Sequence, residues 1–179
     1  MGEAEMQRSE RGLEPAGEGW FTVNVRDAPW IRSESFGDAC IFEGPERFRQ
    51  VGYTLQVLQP GQPNGLYHRE ADQEDFLVLS GECLLLVDGE ERRLRAWDFV
   101  HCPAQTEHIF VGAGDGPCVV FMAGGRTEAR ETVYPATELA ARHGAAAARD
   151  TSDSSEAYEP FAKWEDGLPS FDGLPWELR

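Results

Sequence analysis

The chain has 179 residues, which is enough for one domain with a hydrophobic core and leaves little room for a second. Its 32 acidic and 16 basic residues give a net charge of −16, so nucleic acid and anionic membranes are not expected as partners. The longest apolar runs, such as residues 83–87, are too short to cross a bilayer. Because the acidic N-terminus lacks the apolar core of a signal peptide, we expect a cytoplasmic protein.

Residues 1–19 are polar and rich in glycine and glutamate, a composition typical of a flexible tail. From residue 20 to residue 126, short runs of β-branched and aromatic residues alternate with turn formers, which predicts an all-β barrel or sandwich domain. Asp88-Gly89 between two of these runs predicts a hairpin turn. The predicted strands are 20–25, 40–42, 51–58, 75–79, 83–87, 91–95, 99–102, 108–111 and 117–122.

The pattern changes after residue 126. Within the segment 127–144, residues 137–143 predict one short helix that Gly144 ends. Residues 145–157 combine alanines with Thr, Ser, Asp and Glu, which predicts a disordered linker. Residues 158–179 hold five aromatic side chains among prolines and glycines, so we expect this C-terminal aromatic tail to pack on the barrel or on a partner subunit.

Two histidines and two carboxylates on predicted strands form a candidate metal site. In an extended segment, His68 and Glu70 point to the same face with Cα atoms about 6.6 Å apart, close enough for both to reach one ion. Glu74 follows a polar turn and can approach from the next strand, and His108 opens a later strand. An acidic loop with unrelated histidines is the simpler alternative.

The ligand types narrow the choice of metal. Imidazole and carboxylate suit Zn, Fe, Mn or Ni, and two histidines with one carboxylate also match the facial triad of non-haem iron enzymes. The four cysteines are too widely spaced for a thiolate cluster, so we expect buried, reduced thiols. We therefore predict one divalent metal ion, with His68, Glu70, Glu74 and His108 as ligands.

Two segments, 60–81 and 97–112, resemble the two sequence motifs of the cupin superfamily. Gly61 opens the first motif, Glu74 and Gly81 fit its close with six residues between them, and Pro103 and His108 fit the second. The resemblance implies a single-domain cupin: an all-β double-stranded β-helix, or jelly-roll barrel, here followed by one short helix and the aromatic tail.

The chain departs from the family pattern at several positions. The family's His-x-His stands here as His68-Arg69-Glu70, which places a carboxylate where a second histidine is usual. His68 also falls one residue later than the spacing from Gly61 predicts, so an alternative alignment puts Tyr67 and Arg69 at the ligand positions. In the second motif, Trp97 replaces the opening Gly, Gln105 the middle Gly and Gly112 the closing Asn.

The candidate substrate pocket follows from the alternation of side chains along strands. Phe76 and Val78 after Glu74, and Phe110 after His108, should face inward and form an apolar wall. We also place Tyr67, Arg69 and His101 at the pocket. Arg69 or Tyr67 is expected either to pair with a carboxylate or phosphate of the ligand or to be an exposed rim residue.

The predicted function is that of a divalent-metal-binding cupin that holds a small polar, carboxylate or sugar-type metabolite. The resemblance allows metal-dependent isomerase, lyase and dioxygenase activities, with Glu70 as the catalytic base where it is not a ligand. The alternatives are a non-catalytic small-molecule sensor and a metal-free structural protein. Since small cupins commonly pair, the resemblance also implies a homodimer.

Overall fold

Antiparallel β-structure dominates the chain. A computed structural model describes residues 2–127 and 131–176; residues 1, 128–130 and 177–179, which fall within the predicted segments 1–19, 127–144 and 158–179, lie outside the described residues. The strands are β1 (Met6–Arg8), β2 (Leu13–Pro15), β3 (Trp30–Ser33), β4 (Gly37–Ile41), β5 (Val51–Leu58), β6 (Arg69–Glu70), β7 (Glu74–Ser80), β8 (Glu82–Val87), β9 (Glu90–Arg95), β10 (Phe99–Cys102), β11 (His108–Ala113), β12 (Cys118–Gly125), β13 (Thr132–Val133) and β14 (Glu165–Asp166), and the helices are α1 (Glu138–Arg142) and α2 (Ser154–Ala157).

The barrel is built from two antiparallel sheets. One has seven strands in the order β10-β7-β12-β5-β4-β3-β14, and the other has three in the order β11-β8-β9. Alternate side chains of both sheets meet in one buried cluster, in which Phe76 and Val78 of β7 pack with Leu85, Phe110 and Val120. The prediction of an all-β barrel is confirmed.

The predicted strand bounds agree best with the structure where turns flank a run of β-branched residues. Predicted 51–58 and 99–102 coincide with β5 and β10, and the Asp88-Gly89 turn joins β8 to β9. The predicted strand at 20–25 is wrong, because Trp20 makes only an isolated bridge to Glu3. The chain then turns at Asn24, whose carbonyl accepts hydrogen bonds from the backbone N–H groups of Asp27 and Ala28.

The N-terminal residues 2–19, for which the composition predicts a flexible tail, instead form a hairpin. β1 pairs with β2, with Met6 opposite Pro15. The Glu14 side chain is buried and pairs with the Arg11 guanidinium. Composition alone does not reveal this hairpin, because its stability comes from backbone pairing and one buried ion pair.

Residues 145–157, for which the composition predicts a disordered linker, also carry structure. Ala145 and Ala147 are buried, and the Ala145 carbonyl accepts the backbone N–H of Tyr67 at 2.7 Å. Thr151 exchanges two backbone hydrogen bonds with Tyr134, and α2 follows. The small alanine side chains let the backbone approach the barrel closely, which a count of polar and apolar residues does not register.

The two helices are short, and the first matches the prediction. Thr137 caps α1, accepting the Ala140 N–H, and Gly144 follows its end with φ +68°. The four-residue helix α2 was not predicted. Within residues 2–127 and 131–176, neither helix has the length or apolar character needed to cross a bilayer.

The C-terminal aromatic tail packs on the barrel of its own chain. Phe36 contacts the rings of Tyr158, Phe161 and Trp164 at centroid distances of 5.3, 4.8 and 6.3 Å. On another part of the surface, Trp30 contacts Phe171 and Trp176 at 5.9 and 6.3 Å. These contacts bury large aromatic areas and fix both ends of the tail.

Gly81, between β7 and β8, is required by backbone geometry. Its φ is +72°, and a Cβ atom there would lie 2.4 Å from the Pro117 carbonyl oxygen. Gly89 has a similar φ of +81° but open space around it. Both alanine variants incur left-handed strain, but only Gly81→Ala adds a backbone clash. We expect Gly81→Ala to lower the free energy of unfolding by about 2 kcal/mol more than Gly89→Ala does.

Urea unfolding of the two variants measures this difference. Equal losses in Gly81→Ala and Gly89→Ala would show that the close approach to Pro117 does not constrain the turn.

Candidate metal centre

Three side chains from separate parts of the fold converge at one end of the barrel. Glu74 begins β7, His108 begins β11, and His68 immediately precedes β6. His68 and His108 exchange two backbone hydrogen bonds, of 3.2 and 2.8 Å, which set their rings side by side. One potential ligand atom from each of the three residues lies within 4.8 Å of the other two.

Backbone contacts orient both imidazole rings. The Nδ1 atom of His68 lies 2.7 Å from the Leu66 carbonyl oxygen, and that of His108 lies 3.0 Å from the Thr106 carbonyl oxygen. Because a carbonyl oxygen only accepts, Nδ1 is the protonated nitrogen in each ring. The neutral ring therefore turns the lone pair of Nε2 toward the cluster, as a metal-binding histidine does.

The carboxylate of Glu74 faces both Nε2 atoms. Its Oε2 atom lies 3.1 Å from Nε2 of His108 and 3.8 Å from Nε2 of His68. Within residues 2–127 and 131–176, this buried oxygen has no hydrogen-bond partner. A buried carboxylate oxygen without a partner is costly, and a cation between the three groups removes that cost. The residues therefore fit a divalent metal ion.

The protonation states also suit metal binding. Burial and the neighbouring charge of His108 lower the pKa of His68. Burial acts to raise the pKa of Glu74, but the two histidines outweigh it and hold that pKa below its ordinary value. Burial acts to lower the pKa of His108, but contact with Glu74 raises it overall. Glu74 is thus ionised and His68 neutral, the forms in which these groups coordinate metals. The raised pKa of His108 favours its protonated form, so metal binding at this ring releases a proton.

Glu70 lies beside the three-residue cluster. Its Oε1 atom is 3.7 Å from Nε2 of His68, and the Thr132 hydroxyl donates to the same oxygen at 3.5 Å. Burial and the charge of Glu74 raise the pKa of Glu70 to about 7. The structure therefore brings three of the four predicted ligands into one cluster and places Glu70 beside it.

An open cavity of about 610 Å³ adjoins the centre. Glu70 and Glu74 line it on the side of the histidines. Its other walls come from β5, β12 and the residue that follows it, β13, the segment between β4 and β5, and the turn between β6 and β7. These wall residues are Arg47, Phe48, Arg49, Gly52, Thr54, Asp72, Met122, Gly124, Gly125, Arg126 and Thr132. The volume is of the size that holds a small metabolite.

Residues 54–124 match a family described as the cupin domain. The match spans β5 to β12 and includes strands of both sheets of the barrel. This part of the chain is a cupin domain. No curated protein sequence matches it.

Two solved structures with TM-scores above 0.5 share this fold. A sugar phosphate isomerase of the cupin superfamily from Silicibacter pomeroyi is 22% identical, with a TM-score of 0.57, and the alignment covers 65% of this chain and 83% of that one. The polyketide cyclase RemF from Streptomyces resistomycificus is 15% identical, with a TM-score of 0.53 and coverage of 61% and 81%. A structure from Acidithiobacillus ferrooxidans is 26% identical with a TM-score of 0.44, and the alignment covers 48% of this chain and about half, 55%, of that protein.

Two departures from the cupin motifs place non-glycine residues in left-handed backbone conformations. Trp97 and Gln105, which stand where the family has glycine, adopt φ angles of +77° and +70°. These are left-handed conformations that glycine adopts freely and other residues adopt under strain. The motif glycines are therefore explained by backbone geometry, and their replacement leaves the turns in place.

The predicted apolar residues of the cupin barrel face inward. The Phe76 ring lies 5.1 Å from the His108 ring and 4.6 Å from the Phe110 ring, and Val78 is buried in the same cluster. None of the three lines the open cavity, however. They support the histidines from the core, while the cavity wall is formed by other strands.

Tyr67 and Arg69 point away from the centre, contrary to the predicted pocket. They flank His68, so strand alternation turns both to the opposite face. Tyr67 is fully buried, and its hydroxyl accepts the Gly89 N–H at 3.1 Å. Arg69 pairs with Glu107 at 3.0 Å. The alternative alignment, with these two residues as ligands, therefore does not match the geometry.

His101 also lies outside the predicted pocket. It stands opposite Asp75 in the β10–β7 pair, and its Nδ1 atom lies 2.6 Å from Oδ1 of Asp75. Because Glu74 points inward, its neighbour Asp75 points outward, and His101 follows it to the surface.

Two tyrosines that support the centre were not among the predicted site residues. The Tyr134 ring packs 6.0 Å from the His68 ring, and the Tyr158 hydroxyl accepts the Leu66 N–H at 3.1 Å. Both tyrosines come from the region after the barrel, near the segment for which a linker was predicted. The arginines of the cavity were missed because they lie outside the two motifs, and only the folded chain brings them to the cavity.

Proposed function

We propose that this cupin binds one divalent metal ion through His68, Glu74 and His108 and acts on a small polar metabolite in the adjoining cavity. The observation that supports the proposal is the convergence of two oriented Nε2 atoms on a buried carboxylate oxygen that lacks a hydrogen-bond partner among the described residues. Two histidines and one carboxylate leave coordination positions open for a substrate or water.

When bound, the ion would supply Lewis acidity and polarise a carbonyl or hydroxyl oxygen of the metabolite. Glu70 lines the cavity next to the cluster, so its carboxylate is placed to take a proton from the metabolite and return it. Thr132 orients that carboxylate through its hydroxyl. A base beside a polarised oxygen favours isomerase or lyase chemistry over a reaction with oxygen.

Metal analysis of protein purified without added metal tests the proposal. We expect about one ion per chain in the wild type and at least tenfold weaker binding in His108→Ala. His143→Ala is the matched control, because His143 Nε2 lies 3.0 Å from Glu91 on the surface and outside the cluster. A wild type that binds no divalent metal, or a His108→Ala variant that binds as well as the control, would contradict the site.

Turnover assays separate an enzyme from a sensor. An enzyme loses turnover of its substrate on chelation and regains it with one ion, whereas a sensor binds the same metabolite in the presence of metal without converting it. The homodimer and the cytoplasmic location stay predictions.

A further inference from the structure

We infer that the metabolite carries an anionic group, a phosphate or a carboxylate, which binds to an arginine cluster in the same cavity. The cluster consists of Arg47, Arg49 and Arg126. The inference rests on the proposed function, since it names the class of substrate for that site.

The cluster stands out against the charge of the whole protein. With 32 acidic residues against 16 basic ones, the surface as a whole repels anions. Three of those 16 basic residues nevertheless line one cavity. In such an acidic chain, a cavity lined by several guanidinium groups is a place where an anion can bind.

Arg126 positions the other two arginines. Its Nη2 atom donates to Oε2 of Glu43 at 3.1 Å, and its Nη1 atom donates to the Phe48 carbonyl at 2.8 Å. The Glu43 side chain also accepts the Phe48 N–H at 2.8 Å. Arg126 therefore ties the segment that carries Arg47 and Arg49 to the end of β12. The charge of Arg126 is itself largely balanced by Glu43.

The other two guanidinium groups are available for a ligand. Within the part of the chain that the structure describes, Arg47 makes no ion pair. Arg49 makes one, at 3.4 Å to Glu18, between side chains that are 88% and 64% exposed. An ion pair so exposed contributes little free energy. Guanidinium groups bind phosphate and carboxylate through paired N–H donors, so both groups can engage one anion.

The cavity has room for this arrangement because glycines line it. A Cβ atom on Gly52 would lie 2.5 Å from Nη2 of Arg126, and Gly124 and Gly125 continue the same wall. The cavity thus combines three carboxylates, Glu70, Asp72 and Glu74, with guanidinium groups. A metabolite with a polarisable oxygen and an anionic group would bind in one orientation.

Calorimetric titration with inorganic phosphate tests the inference, using chelator-treated full-length protein at low ionic strength. We expect phosphate to bind the wild type and to bind Arg47→Gln/Arg49→Gln about tenfold more weakly or worse. The control is Arg92→Gln/Arg142→Gln, which removes the same charge from two exposed arginines paired with Glu90 and Glu91. It should change the affinity by less than about twofold.

Two results would overturn the inference: no phosphate or malonate binding to the wild type, or equal weakening in the two double variants. Malonate, titrated in parallel, identifies the group, since the tighter of the two probes names phosphate or carboxylate. Metal content, measured on the same preparations before the chelator treatment, separates this test from that of the metal site. If the wild type binds metal but neither anion, only the arginine cluster fails; if it binds phosphate but no metal, only the metal site fails.

Discussion

Glu74→Gln is expected to lower the affinity of the protein for a divalent metal by more than about 100-fold, since even residues that only support a ligand contribute 10- to 100-fold. The amide has the shape of the carboxylate but lacks its charge. Its NH₂ group can donate to the Nε2 lone pairs of His68 and His108. We therefore expect the free energy of unfolding of the metal-free protein to change by less than about 1 kcal/mol.

Competition with a chelating indicator measures the metal affinity, and urea unfolding measures the stability. Glu70→Gln is the matched control, because Glu70 also lies near His68 but at the edge of the cluster. We expect it to retain metal affinity within about tenfold. Equal losses in the two variants would make Glu70 a full ligand and the site a four-residue one.

Phe36→Ala is expected to lower the free energy of unfolding by about 3–5 kcal/mol. Phe36 is 1% exposed and packs against three aromatic rings of the C-terminal region. Removing it leaves a cavity among rings that belong to distant parts of the chain, and these cannot close around it without moving the tail. One of them is Tyr158, which holds the backbone next to His68 through Leu66.

Phe99→Ala provides the comparison, since Phe99 is 65% exposed. It should cost less than about 1 kcal/mol. If urea unfolding gives similar losses for both variants, the tail is not anchored through Phe36. Weaker metal binding in Phe36→Ala, relative to Phe99→Ala, would show that the anchor also supports the site.

Local patterns were enough to predict the barrel. The Asp88-Gly89 turn occurs with φ angles of +44° and +81°, and β5 and β10 begin and end as their residue types indicate. The failure at 20–25 has a physical cause. Val23 and Val25 pack against a buried cluster as a strand would, but the turn at Asn24 breaks the backbone pairing. Side-chain patterns do not show this.

The site also contains residues that local sequence patterns predict and residues that they do not. The spacing of His68, Glu74 and His108 within two motifs was visible in the sequence. The outward directions of Tyr67 and Arg69 follow from the same alternation that turns His68 inward. By contrast, Arg47 reaches the cavity through a buried ion pair between Glu43 and Arg126. That pair links residues 83 positions apart and leaves no local signal.

Two of the three proposed ligands, Glu74 and His108, belong to different sheets, so metal binding would link the sheets mechanically. Glu74 lies on the seven-stranded sheet, whereas His108 lies on the three-stranded one and holds His68 against it. An ion held by all three would act as a reversible cross-link at one end of the barrel. By mass action, the melting temperature would then rise with the concentration of free metal. The contact between the two sheets at this end of the barrel would then be more stable at high metal concentrations than at low ones.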